Sequence, residues 1–238
     1  MRKVLATVFV LLFVCVAHAQ FLFPPILYFG PSSAKIVFTG TDVASEASGC
    51  TSCSFSSFPI GTPSPGRYVL LAIANHGSSA GTASSVVIGG VSATKILSVV
   101  NTTRTSELWI ALVPTGTTAT VTFTESTASA WTYIGAWALY YLQNAGAATA
   151  TASATTSGGS MSLSSIYAGG VAVATAANAT DGDAFTWSGL SSTAWNTGSA
   201  ADGQFSGADE VFATAQSSYS VSATTSGATP TFVAASFR

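Results

Sequence analysis

The sequence predicts an all-β chain, a two-sheet β-sandwich of jelly-roll type, preceded by an apolar leader and an extended arm. Three observations carry that prediction. Short segments alternate apolar and polar residues with a period of two, as in TATVTFT at residues 118–124, where Ala119, Val121 and Phe123 share a face. Longer segments are apolar throughout, RYVLLAIA at 67–74, TYIGAWALYYL at 132–142 and GVAVATAA at 170–177, as expected of strands covered on both sides. Beyond the leader no segment joins capping residues to a 3.6-residue apolar period, so no helix is expected.

Residues 1–19, MRKVLATVFVLLFVCVAHA, have the form of a secretory signal. Arg2 and Lys3 are basic, residues 4–16 are apolar, and Ala17-His18-Ala19 is a small-x-small cleavage site before Gln20. Cleavage there is expected; left in place, the same segment is an apolar anchor. Cys15 makes no lipoprotein site, because Val14 stands where a small residue belongs.

Residues 20–33, QFLFPPILYFGPSS, form the arm. Pro24 and Pro25 impose an extended path and forbid a helix through it. Seven large apolar residues in this stretch are too many for a free linker. The arm is therefore expected to be buried, either along its own domain or in a partner, and its docking residues are Phe21, Phe23, Ile26, Leu27, Tyr28 and Phe29.

Residues 34–238 form the sandwich. Gly89-Gly90 between two apolar runs predicts a two-residue hairpin, since both turn positions need positive φ, and Val113-Pro114-Thr115-Gly116 predicts a second turn. Tyr219, Val221 and Ala223 repeat the alternating pattern. Residues 143–160, QNAGAATATASATTSGGS, mark the midpoint as a low-complexity surface loop with one edge strand. Residues 84–142 and 169–237 echo one another faintly. Strands rich in Ala, Ser and Thr resemble each other by composition alone, so the chain is read as one domain.

Composition narrows the function. Of 238 residues, 48% are hydrophobic but only 7% are charged, against roughly 25% in an average soluble domain. Past the leader the basic residues are Lys35, Arg67, Lys95, Arg104 and Arg238, too few and too scattered to displace counterions from a nucleic acid. The surface must be built of Ser, Thr, Gly, Ala and Asn, which suits an extracellular or assembly-embedded protein and not a cytosolic enzyme. After the leader no apolar run reaches about 18 residues, the length that spans a membrane as a helix.

Catalytic chemistry finds little support. His76, in NHGSSAG, reads as a solvated loop residue, and no GxSxG elbow accompanies it. The carboxylates Asp42, Glu46, Glu107, Glu125, Asp181, Asp183, Asp202, Asp209 and Glu210 show no acid-pair pattern in the sequence. Cys50 and Cys53 lack the further ligands of a zinc site and the βαβ setting of a redox motif, and read as a small disulfide in a Ser-rich loop, or as free thiols. Asp181-Gly182-Asp183 reads as a turn, because a calcium loop's later acid is missing. No metal or cofactor is expected. Residues 181–207 mix Trp187, Trp195 and Phe205 with Gly, Ser, Asn and Asp, the composition of a sugar-binding face. Trp187 and Phe205 also read as core residues, which leaves Trp195, beside Asn196, as the exposed stacking platform.

The phrases SPGRYVLLAIA, SVVIGGVSATKI, LWIALVPTGTTATVTFT, IGAWALYYL and FVAASFR resemble an uncharacterised family of phage and prophage proteins encoded among virion structural genes. The resemblance covers about residues 63–238 and implies a β-sandwich displayed on a virion, as a capsid decoration, tail or fibre component. It brings no catalytic residues with it, and the leader and arm depart from it. The expected function is a non-enzymatic structural protein on a virion surface, anchored through its arm to other subunits, with homo-oligomers expected. The alternative is a secreted carbohydrate-binding or adhesive module that contacts a host-surface glycan through Trp195, Asn196 and Trp187.

Overall fold

The computed structural model describes residues 33–77, 81–178, 184–199 and 203–238. The leader, the arm residues Phe21, Phe23, Ile26, Leu27, Tyr28 and Phe29, and the Asp181-Gly182-Asp183 turn lie outside them. Seven strands make up the first half: β1 (Lys35–Pro59), β2 (Tyr68–His76), β3 (Ala83–Ile88), β4 (Val91–Ser92), β5 (Thr94–Asn101), β6 (Arg104–Leu112) and β7 (Thr118–Tyr140). Eight make up the second: β8 (Ala150–Ala154), β9 (Met161–Leu163), β10 (Val171–Ala177), β11 (Thr186–Ser188), β12 (Ser192–Ser199), β13 (Gly203–Val211), β14 (Tyr219–Thr224) and β15 (Thr231–Phe237). The fold is all-β and of sandwich type, with every pairing antiparallel among the described residues.

The expected alternating strand at 118–124 and apolar strand at 132–142 are one continuous element, β7. Its first part alternates because one face is wet; its last part is buried at every residue from Ile134 to Tyr140. The long β1 runs beside it over almost its whole length, from Lys35 opposite Tyr140 to Pro59 opposite Thr118. The Gly89-Gly90 hairpin joins β3 to β4 with φ of 58° and 82°, as the two-residue turn requires.

The first seven strands form one sheet in the order β4-β3-β7-β2-β6-β5, with β1 on the open side of β7, and the sheet curls around a core of its own. In β2, Val69, Leu71 and Ile73 point into that core, while Leu70 and Ala72 point the other way, against Val171 and Val173 of β10 and Val233 and Ala235 of β15. Those belong to the second sheet, β12-β13-β10-β15-β8. Its far face, with Ala172, Ala174 and Ala176, is covered by a small sheet, β11-β14-β9, that contributes Met161, Leu163, Val221 and Ala223. The continuous apolar runs of β2 and β10 thus follow from burial on both faces.

The faint echo between the halves is topological, a correction to the expectation that it is compositional. The order β8-β15-β10-β13-β12 repeats, strand for strand and in chain order, the first part of β1, the last part of β7, then β2, β6 and β5; β9-β14-β11 repeats the remaining part of β1, the first part of β7, and β3. Three loop hydrogen bonds recur. Arg67 N–H donates to Ser64 O as Gly170 N–H does to Tyr167 O. Val113 N–H donates to Arg67 O as Phe212 N–H does to Gly170 O, and Ile60 N–H donates to Thr117 O as Ile166 N–H does to Gln216 O. A β-bulge interrupts β5 between Lys95 and Leu97, and another interrupts β12 between Thr193 and Trp195, at matching places in the register. The chain past the arm is two copies of one β-sandwich plan stacked face to face, with Gly169-Gly170 matching Gly66-Arg67 and not Gly89-Gly90.

Between the stacked sheets lies Trp195, its ring against Gly135 of β7 and Gly207 of β13. A Cβ at either glycine would meet that ring. Gly135→Ala is expected to cost about 1–3 kcal/mol in urea unfolding and Trp195→Ala about 3–5 kcal/mol. The double variant should cost clearly less than the two together, because the cavity left by the ring admits the methyl group. Simple additivity would show that the ring is not what the methyl meets.

Candidate functional site

At the end of the first half where β1 starts and β7 finishes, three adjoining cavities of about 420, 520 and 360 Å³ form one groove. The first two share Ser64 and Tyr141, and the last two share Tyr68, Leu112 and Ala145. Its walls are chiefly apolar and aromatic. Tyr141 is 57% exposed, and Leu112 and Val37 are also exposed. Among the described residues, Lys35 is the one formally charged side chain on these walls, its ammonium 5.6 Å from the centre of the Tyr140 ring.

The groove wall at Gly61 is tied, with the neighbouring 113–116 loop, to a buried arginine. Arg67, fully buried, donates from Nε to Val113 O (2.8 Å), from Nη1 to Gly61 O (2.6 Å) and Gly116 O (2.8 Å), and from Nη2 to Thr115 O (2.7 Å). Five donors in a fixed fork let one side chain satisfy the carbonyls of two loops at once. Desolvation lowers its pKa, opposed by Tyr140. The Tyr140 hydroxyl donates to Thr62 O (2.9 Å) and holds the same loop from the other side. Two groove residues, Tyr141 and Ala145, sit at φ of 61° and 50°, a left-handed region that costs a residue with a Cβ on the order of 1 kcal/mol or more.

A second cluster lies inside the first half, at its other end. Glu107 accepts from Ala83 N–H (2.9 Å) and Trp109 Nε1–H (2.7 Å), and Lys95 Nζ stands 3.5 Å from its Oε2. Glu125 accepts from the hydroxyls of Ser129 (2.5 Å) and Thr132 (3.2 Å), and Asn75 also hydrogen-bonds to it. Glu107 is fully buried and Glu125 is 4% exposed. Burial raises both pKa values, that of Glu125 to about 7, against the hydrogen bonds that favour its charged form. These are the two carboxylates that the fold brings together, and both are sealed. A general acid or base must touch its substrate, so they make a polar layer of the core and not a reaction centre. Among the described residues no group of three His, Cys, Asp or Glu side chains can hold a metal ion.

The residues expected to bind sugar do not share a surface. Trp195 is 8% exposed, a correction to the reading that it is a platform in solvent. The bulge in β12 turns it inward against Trp137 and Phe38, with ring centres 4.8 and 5.5 Å apart. Trp187 is half-buried on the opposite face of that sheet, where its Nε1–H donates to Ser206 Oγ (2.8 Å) and its ring meets Phe232 edge-on. Asn196 is exposed, but its amide clasps the Phe185 backbone, donating to O (3.0 Å) and accepting from N–H (3.2 Å), and it also accepts from Gln204 Nε2 (2.8 Å). Cys50 and Cys53 are joined as a disulfide with Cα atoms 5.6 Å apart, buried in an irregular stretch of β1 and not in a loop. His76 ends β2, half-buried and opposite Arg104 and Trp131.

Sequence reasoning missed the groove. Its signals were Tyr140-Tyr141 at the end of an apolar strand and Pro63 and Pro65 just before Arg67-Tyr68, residues that read singly as core and turn. No protein-family model matches this chain, and no curated protein or solved structure matches it either. Its function is therefore argued from its own residues.

The acidic layer sets a pH dependence. Glu125 titrates near 7 in the folded chain and near 4.5 unfolded, so between these values the folded state binds the proton more tightly. Stability is fully present below about pH 4.5 and falls as pH rises through 7, by up to about 3 kcal/mol from this group. Glu107 and Asp209, both raised by burial, slope the same way. Urea midpoints taken from pH 5 to pH 8 should fall for the wild type and fall distinctly less for Glu125→Gln. An equal fall in both would remove Glu125 as the cause.

Proposed function

We propose that this protein is a non-enzymatic structural subunit on the surface of a phage virion, anchored to neighbouring subunits through residues 20–33. The observation that carries this reading is how its chemistry is divided. The two carboxylates that come together are sealed in the core, while the exposed groove offers tyrosine, proline and aliphatic side chains with one ammonium at its edge. That is a surface for contact and not for turnover. The low charge of the chain supports the same reading, since subunits that live against one another do not rely on charge to stay apart. The resemblance of residues 63–238 to virion-associated proteins supplies the particle. The secreted sugar-binding alternative loses the face it was expected to use, because Trp195 and Trp187 lie on opposite sides of one sheet.

Deleting residues 20–33 should abolish assembly, read as loss of incorporation into particles and as a monomer in light scattering, with the thermal midpoint unchanged. Incorporation retained by the deleted chain would overturn the arm as anchor. Glycan binding that is lost in Trp195→Ala would favour the sugar-binding reading instead.

A further inference from the structure

We propose that the groove receives residues 21–29 of a second copy of this chain; the inference rests on the arm-anchored assembly above and names its receptor. The segment FLFPPILYF carries no charge, and the groove presents Tyr68, Tyr141, Leu112, Val37, Pro63 and Pro65 with a single ammonium at one end. An uncharged chain meets a mainly apolar wall, and the exposed Lys35 ammonium at its end keeps its contact with water. The segment contains Pro24 and Pro25, and prolines lower the conformational entropy a chain has to lose on docking, the principle by which proline-containing segments enter aromatic-lined grooves.

The receptor is preformed. The Arg67 fork and the Tyr140 hydroxyl hold the wall at Gly61 and Thr62 from behind, so docking does not have to order that wall as well. Area is sufficient as well. The segment has four aromatic residues, Phe21, Phe23, Tyr28 and Phe29, each able to bury about 150–250 Å². Together they approach the roughly 800 Å² per partner of a stable interface. A second copy supplies both halves of the contact, the neutral segment and its neutral groove, and because the two patches differ the contact runs head to tail.

Two full-length variants test this: Tyr141→Asn with Leu112→Ser in the groove, where Asn tolerates the left-handed backbone, and Phe23→Ser with Leu27→Ser in the arm. Each alone should be folded and monomeric by light scattering. Mixed, they should recover a 1:1 pair at least tenfold tighter than either self-association, since one intact arm meets one intact groove. A groove variant that assembles like wild type, or a mixture that fails to pair, overturns the inference while the arm-anchored reading stands. An arm variant that assembles like wild type overturns that reading itself. As an independent readout, a photo-crosslinking residue at position 28 should capture a peptide containing Tyr68 or Tyr141 in a covalent dimer. A groove that binds oligosaccharide while the oligomeric state stays unmoved would also overturn the proposal.

Discussion

Trp195 is the contact on which the stacking of the two sheets depends. Its indole spans from its own sheet to the facing one and fills the gap that Gly207 and Gly135 leave open. The bulge in β12 makes this possible: the extra residue, Ala194, breaks the alternation of the strand and aims the next side chain inward. In the first half the equivalent bulge in β5 does the same for Leu97, which also packs on the shared face. A large ring between two glycines sets how closely the layers approach. Elsewhere the interface packs Val171, Val173 and Ala235 of the second sheet with Leu70 and Ala72 of the first. Sheets covered on both faces leave few positions for charge, so the 7% charged composition is as much a consequence of the architecture as of the environment.

The two halves share a plan but have diverged at matching places. Asn75 and Asn178 stand at the same point, at or just past the end of the central strand, and each bonds across its own core. Asn178 donates to Thr225 Oγ1 (2.6 Å) where Asn75 meets Glu125. Glu107 in β6 corresponds to Ser206 in β13. The second half thus builds its polar layer from hydroxyls, which cost little to bury, while the first uses two carboxylates with Lys95 and Trp109 around one of them. A fold that closes equally well with Ser and Thr does not need buried acids for its topology. Their effect in the first half is to make its core sensitive to pH.

The all-β class and the doubly covered strands were legible because period-two alternation and unbroken apolar runs are direct imprints of burial on one face or two. The Gly89-Gly90 turn was legible for a similarly local reason, that positive φ at two successive residues selects glycine. The repeat was not legible. Strands paired through backbone hydrogen bonds tolerate almost any small residue, so YVLLAIAN and VAVATAAN keep their register while sharing only two identities, Ala74 with Ala177 and Asn75 with Asn178, with Gly66 and Gly169 matching just before them. Trp195 misled for a physical reason as well. Flanked by Ala and Asn in a Gly- and Ser-rich stretch, it has the local composition of a surface loop, and only the bulge decides which way the ring points. The groove escaped because it is built from residues distant in sequence, the 61–68, 91–96, 110–112 and 140–147 segments, which strand pairing brings side by side.

How such a molecule meets its neighbours is constrained by its edges. An open strand edge is the most general route to association between β proteins. Among the described residues the outer edge of β1, which pairs with β7 alone, stays open, whereas the other exposed edges are poor templates: β4 is two residues long, β9 and β11 three each, β8 five, and β5 and β12 are each interrupted by a bulge. Sheet-to-sheet addition is therefore discouraged at each of these edges. Side-chain chemistry offers a further route to specific contact, and the groove beside the Arg67 loop is an exposed, mainly apolar concavity for it. Were it to take the uncharged segment of a second copy, as proposed, the geometry of that contact would decide between closure and growth. A head-to-tail contact with a rotation that closes gives a ring, and one that does not gives a filament. In the proposed contact the wall at Gly61 and Thr62, held by Arg67 and Tyr140, would set the angle at which one subunit presents the next and so select between them.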